Sequence, residues 1–401
     1  MRARRPRGRH WLLVPLLGVF LATRMYMVFA SGYPQPADIA LMLATAFLLR
    51  PRDVDWMRRH FPAFLGVVIW AVVVNGTWSV LRGNGGYALP MAYYVYNFVL
   101  VTFVATTRAQ YRAALDRVLG WGVVAGAAGQ LGLILSVGAT SRASGSFNNP
   151  NQLGFWSICM MAVYILVRRP HQLQRDLLII PALAYCQFVT TSRAGVLGFL
   201  LLIAIWLHQV TSRSRHRRLA MLVFGAMLLS APALPAAATY LGNLEMVGRF
   251  EARFNKSNAV DEVGLRNTDR ITKYPQYTIL GAGEGDLARF PHSLPIEIHS
   301  TPGTILFSYG IPGSLLFLAF LIGVLRQLTW PQRGVAAALF LYSITHNGLR
   351  FPFFWFTMAV LLSESHYNRS RQRATRSRAS RDENPALPRT SMQAAASPSA
   401  R

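Results

Sequence analysis

The sequence is poor in cysteine and in negative charge. Its 401 residues hold 2 cysteines, and 16 Asp+Glu stand against 41 Lys+Arg. Cys159 and Cys186 both fall inside hydrophobic segments, which excludes a disulfide framework, and no zinc-type spacing exists. Charged residues make up 14% of the chain, where a soluble domain carries about 25%. A dinucleotide fingerprint is missing too: Gly281-Ala-Gly283-Glu-Gly285 follows no strand, opens no helix and reads as a turn. The absence of any fixed-period repeat sets solenoids aside.

What fills the chain is hydrophobic sequence, 52% of all residues. A bilayer core of ~30 Å is crossed by a helix of ~20 apolar residues. The pattern predicts about a dozen such spans, at 11–30, 37–50, 61–80, 88–106, 118–138, 151–167, 177–190, 194–208, 219–238, 303–325, 334–346 and 351–363. The fold class expected is therefore all-α, a polytopic membrane helix bundle of about 12 transmembrane helices. Residues 1–368 form the membrane domain, including a long loop at 239–302, and 369–401 form a basic tail whose Arg/Ser then Pro/Ala/Ser composition predicts disorder. The first span follows a basic run and is too long for a removed signal, so it reads as an uncleaved helix. Spans 177–190 and 194–208 are short and nearly touch; they read as a pair that tilts or does not fully cross.

A net charge of +25 invites a nucleic-acid reading. The basic residues argue against it, because they are scattered over short turns rather than gathered on one face. With the N-terminus in the cytoplasm, alternate turns carry Arg50, Arg52, Arg58 and Arg59, then Arg108, Arg112 and Arg117, then Arg168, Arg169 and Arg175, then Arg326 and Arg333. That is the positive-inside bias, and it puts both termini in the cytoplasm. The loop 239–302 is nearly balanced in charge and external in this topology. Near the start of this loop, Leu241, Leu244, Val247, Phe250 and Phe254 share a single apolar helical face.

Four polar clusters fall on the external side. Arg142, Asn149, Pro150, Asn151 and Gln152 crowd the turn into the sixth span. Helix capping explains the asparagines at a helix start, but not an arginine and a glutamine beside them. Arg193 stands at the join of 177–190 and 194–208, where a cation opposes the helix dipole; snorkelling is the plain reading, and a bound anion the functional one. Arg266 and Arg270 precede the glycine turn, and each would ordinarily be a solvated loop charge. His299 lies at re-entry to the membrane, where a neutral imidazole is able to accept a proton. His346 and Arg350 form a further external pair, and Arg24 is a charge inside the first span with no partner assigned.

In chain order these residues form Arg142-x-x-Gly-x-Phe147-x-Asn149-Pro150-Asn151, then Ser192-Arg193-Ala194-Gly195, then a loop with Arg266, Gly281-x-Gly283 and His299, then Gly310-x-x-Gly313. That order, over roughly residues 140–315, resembles the O-antigen ligase and Wzy-type polymerase superfamily. Where the family commonly has His-Asn, this chain has His299-Ser300. The resemblance implies a glycosyltransferase-C-like fold in the bacterial inner membrane, with the active site at the periplasmic face. It implies a metal-independent, inverting glycosyltransferase with no cofactor. The donor would be an undecaprenyl-diphosphate-linked oligosaccharide, and the acceptor a lipid-linked glycan or lipid A core. Membrane lipids, a chain-length regulator and a flippase would be further partners. On this reading His299, Arg193 and Arg266 are catalytic. Arg142, Asn149, Asn151, Gln152, Arg270, His346 and Arg350 would bind substrate. A repeat-unit polymerase is the leading expectation and a ligase the nearest rival. A flippase stands third, without the paired halves of broken helices expected of a transporter.

Overall fold

In a computed structural model, residues 10–29, 33–137, 143–169, 172–213, 266–291 and 296–383 are described. Every regular element among them is helical. The principal helices are α1 (His10–Thr23), α2 (Pro36–Leu48), α3 (Pro51–His60), α4 (Pro62–Arg82), α5 (Ala88–Val137), α6 (Pro150–Val167), α7 (Leu173–Phe188) and α8 (Arg193–Arg213). Two single turns follow, α9 (Arg270–Lys273) and α10 (Tyr277–Leu280), and then α11 (Thr301–Leu325), α12 (Trp330–Ser343) and α13 (Pro352–Glu383). Five helical stretches are long and apolar enough to cross a membrane: α4, α5 with the turn before it, α6, α8 and α11. The chain is a helical membrane protein in this sense.

The sequence decides which helices stand at the centre. From Leu153 to Ile165 α6 is buried on all sides, and so is α13 from Phe353 to Leu362. Both are apolar around their whole circumference there, which suits a helix surrounded by other helices. Phe155 of α6 stacks on Phe351 at 5.2 Å and on Tyr342 at 4.9 Å. Around this centre, α4, α8 and α11 turn apolar residues outward, among them Val73, Val80, Leu197, Leu200, Leu315 and Leu318. An apolar outer face is stable against acyl chains and not against water.

Two expected spans, 88–106 and 118–138, form one element. α5 runs 50 residues with a single non-helical residue, Tyr111 at φ −127° and ψ 36°. The direction reverses there, since both halves end at the same side. Asn97, in the first half, donates to Leu349 O at 3.1 Å, and Gln130, in the second, accepts from Ser146 N at 3.0 Å. The basic turn expected between the spans needs no loop because Arg108 holds it. Its Nε donates to Asp116 at 2.7 Å, and its other nitrogens reach Ser363 Oγ at 2.7 Å and Glu364 at 2.6 Å.

This is the basic end of the bundle. Arg112 pairs with Glu364, Arg168 with Asp176, and Asp176 also accepts from Tyr164 at 2.6 Å and Trp206 at 3.0 Å. Trp121 and Trp330 are exposed near it, and Arg175 lies 4.2 Å over the Trp121 ring. Exposed tryptophans beside arginines mark the rim of a membrane-embedded surface.

Three sequence expectations change. Arg24 has a partner: its Nε meets Asp38 at 2.6 Å, and Tyr96 donates to the same carboxylate at 2.6 Å. The pairing lay hidden because 14 residues and a helix boundary separate the two. The basic tail is not disordered from Arg369; α13 continues to Glu383, since an arginine-rich segment lacking Gly and Pro can extend a helix already nucleated in the membrane. Span 303–325 is a broken helix, with Gly310 at φ 66° and ψ −168° and Pro312 two residues on. The expected span 219–238, the loop segment 239–265 and Arg142 lie outside the described residues.

The break is sealed by the glycine turn. Ala282 N donates to Phe307 O at 2.9 Å and Gly283 N to Ser308 O at 2.8 Å, while Trp70 Nε1 donates to Tyr309 O at 2.7 Å. A Cβ on Gly310 would come within 2.5 Å of Ile279 O, and one on Gly281 within 2.5 Å of Ser308 O. Gly310→Ala is expected to destabilise the protein by at least about 1–3 kcal/mol from the backbone alone. Gly323→Ala, in the same helix with open space beside it, should be neutral. Thermal unfolding of both variants in detergent checks the difference.

Candidate active site

The site end lies opposite the basic end, where α4, α7 and α12 finish and α6, α8, α11 and α13 begin. α11 starts because Ser300 caps it, its hydroxyl accepting from Gly303 N at 3.2 Å. Before it, Ile298 turns into a small core with Ala282, Phe290 and Phe307. Glu297 meets Arg350, and the His299 ring lies toward the turn between α12 and α13.

Arg266 and His299, 33 positions apart in sequence, meet at this turn. His299 N donates to Arg266 O at 3.0 Å, and Arg266 Nη1 donates to Thr345 O at 3.0 Å. The His299 ring lies 6.4 Å from that of His346. His346 in turn packs 5.5 Å from Tyr342 and 5.6 Å from Phe155. Desolvation by these rings pushes the pKa of His346 down to about 3, and the positive charges of His299 and Arg266 push the same way. Thr301 Oγ1 donates to His346 O at 3.1 Å and accepts from Gly348 N at 2.8 Å, tying the turn to α11.

Arg193 reaches the same end by another route. Val189 to Ser192 forms the join of α7 and α8, with Thr191 at φ 52°. Gln187 at the end of α7 and Thr190 of this join crowd Gly154 of α6, which Tyr342 also approaches. Tyr342 donates to Asn151 O at 2.8 Å. The joins that carry Arg193, Asn151, Gln152 and His346 are therefore neighbours. Asn149 acts as a cap, accepting from Asn151 N at 2.7 Å.

Among the described residues, the two arginines expected to bind substrate are engaged elsewhere. Arg270 is buried, donates to Ile296 O at 3.0 Å and lies 4.8 Å from the Phe290 ring. Burial pulls its pKa below the ordinary arginine value. Of the loop arginines it is Arg266 that stands beside His299. Arg350 lies between two carboxylates, Glu284 at 2.8 Å and Glu297. Burial opposes its charge, and the carboxylates more than offset this, holding its pKa above the usual range.

Sequence reasoning missed two groups. Glu284, inside the glycine turn, is 5% exposed and accepts from Tyr94 at 3.0 Å and from Tyr309, while its own N donates to Asn75 Oδ1 at 2.7 Å. An acidic residue between glycines, in a chain with so few, was the available signal. Arg289 sits among Phe290 at 4.6 Å, Trp78 at 4.7 Å and Tyr277 at 5.2 Å, and donates to Ala282 O. It pins the glycine turn to α4.

The chain matches no protein-family model and no curated protein.

Because His346 titrates near pH 3 when folded and near 6.5 when unfolded, the unfolded state binds the extra proton between these values. The folded state is therefore full in stability above about pH 6.5 and loses it as pH falls. His346→Gln should flatten that acid loss between about pH 6 and 4. Chemical unfolding of both proteins across this range measures it.

Proposed function

We propose that the chain is an inner-membrane glycosyltransferase that moves a glycan from a polyprenyl-diphosphate carrier to a sugar hydroxyl. On this reading the bundle crosses the membrane twelve times in a glycosyltransferase-C-like arrangement. The basic end is cytoplasmic by the positive-inside rule, and the site end is periplasmic. The observation that carries the proposal is the meeting of Arg266, His299 and an uncharged His346 at one turn, with the Arg193 join beside it.

The chemistry suits those groups. The attacking hydroxyl gives its proton to the His299 imidazole as its oxygen bonds to the anomeric carbon. The bond from that carbon to the diphosphate breaks, and the diphosphate leaves with the electron pair. Such a leaving group needs charge stabilisation more than covalent help, and Arg193 and Arg266 supply it where water is scarce. Inversion follows from direct displacement. Polymerisation of repeat units is the leading form of the reaction, and transfer to lipid A core the alternative; both use the same donor.

Purified protein supplied with polyprenyl-diphosphate-linked repeat units, with and without lipid A core, separates the two. Longer lipid-linked glycan without core supports the polymerase, glycosylated core the ligase, and no transfer in either case refutes the proposal. His299→Ala should keep donor binding and slow single-turnover transfer by ~10²–10⁴. Arg193→Lys should lose most activity although charge is kept, since a bidentate fork is replaced by a point charge. Product gels from both variants test this.

A further inference from the structure

We infer that the turn α10 (Tyr277–Leu280) re-enters the membrane at the site end and sets Ile279 and Leu280 against the acyl chains. From sequence, the whole of 239–302 reads as a loop outside the bilayer. Depth along two helices puts this part of it inside. α11 leaves the hydrocarbon at the basic end, where Arg326 follows Leu325, and α4 enters it at Pro62, after Arg58 and Arg59. At about 1.5 Å per residue, Gly310 stands about 22 Å along α11 from Leu325. On the same scale Trp78 stands about 24 Å along α4 from Pro62. The turn touches both: a Cβ on Gly310 would come within 2.5 Å of Ile279 O, and Trp78 Nε1 donates to Gly281 O at 2.9 Å. The hydrocarbon layer is ~30 Å thick, and tilt of either helix only lowers these heights.

The surface of the turn has the polarity that this depth requires. Ile279 and Leu280 are 61% and 62% exposed, and they continue the outer face of α11, where Ile311, Leu315 and Leu318 are exposed as well. Earlier in the loop the exposed residues are instead Thr272, Lys273 and Gln276. Irregular backbone survives at hydrocarbon depth only where protein groups take its hydrogen bonds. Around the turn, Gly281 N donates to Tyr277 O and Thr278 N to Pro275 O, each at 2.9 Å, and the nitrogens of Ala282 and Gly283 are bonded to α11. The carbonyls of Gly281 and Ala282 accept from Trp78 and Arg289. The nearby charges are turned inward and matched. Glu284 is 5% exposed and meets Arg350 at 2.8 Å, while Arg289 lies among aromatic rings. In water the reverse arrangement, carboxylate out and leucine in, would cost less. The insertion is independent of the proposed reaction, since it follows from depth and polarity alone.

The test is nitroxide labelling of single added cysteines in the full chain, reconstituted in phosphatidylcholine nanodiscs. Ile279→Cys and Leu280→Cys report on the turn, Leu318→Cys on the lipid-facing side of α11, and Thr272→Cys on the part of the loop expected in water. Wild type supplies the background, since Cys159 and Cys186 are both buried. Spin relaxation is read at each site with oxygen, which concentrates among acyl chains, and with a water-soluble nickel chelate. Labels at Ile279 and Leu280 should show the oxygen-to-nickel ratio of Leu318, well above that of Thr272. A ratio equal to that at Thr272 would set the turn in water and overturn the inference. Low access to both reagents would mean a protein cover, from a second copy or from another part of this chain, and would overturn it equally. Either turn variant suffices alone, so a folding failure in one leaves the test intact.

Discussion

The site end depends on how one broken helix satisfies its backbone. At membrane depth an unpaired carbonyl has no water to turn to, so a break survives only where protein groups replace the lost bonds. Gly310 frees the carbonyls of Phe307, Ser308 and Tyr309, and these are taken by Ala282 N, Gly283 N and the Trp70 indole. Ala282 and Gly283 belong to a loop that must lie against the helix backbone, which is why glycine stands on both sides of the contact. Once the loop is docked, Arg289 holds it to Trp78 and Glu284 is delivered to Tyr94, Tyr309 and Arg350. The described segment of the loop is tied where His299 N meets Arg266 O. Two residues far apart in sequence are thereby joined through their backbones.

Arginine does different work at the two ends. At the basic end Arg108 and Arg168 are enclosed and matched to Asp116, Glu364 and Asp176. Burying such pairs gives little net stability, because desolvation consumes much of the Coulomb gain. Their geometry is nonetheless demanding, and losing either partner leaves a charge stranded, so they fix how α5, α6, α7 and α13 align. Arg350 and Arg24 serve the same purpose at the site end. A guanidinium held by two carboxylates, as Arg350 is, has its charge already answered and is poorly placed to draw an anion. Arg266, bonded through Nη1 to a neutral carbonyl, keeps a positive field that reaches His346.

Much of the architecture was legible because lipid imposes a simple rule. Long apolar runs marked α4, α6, α8 and α11, and the arginine turns marked the basic end. Chain reversal inside α5 was not legible, since a single residue makes it and Arg108 supplies the bonds that a loop would otherwise provide. The continuation of α13 past Arg369 was not legible either, because composition reports solubility and is silent on a helix nucleated upstream. At the site, His299 and Arg266 were visible as polar residues at a membrane boundary. Their tie to His346 was not, as it depends on Phe155 and Tyr342, which read as ordinary core. Arg24 stood without a partner in the sequence and Arg270 as a loop charge, and each is packed into the fold, Arg24 on Asp38 and Arg270 over Phe290.

Burial also decides the state of one imidazole at this turn. Two rings 6.4 Å apart beside a guanidinium cannot both carry charge cheaply. His346, packed between Phe155 and Tyr342, stays neutral across any physiological pH. The same aromatic packing that makes α6 and α12 part of the core thereby keeps this imidazole uncharged beside Arg266.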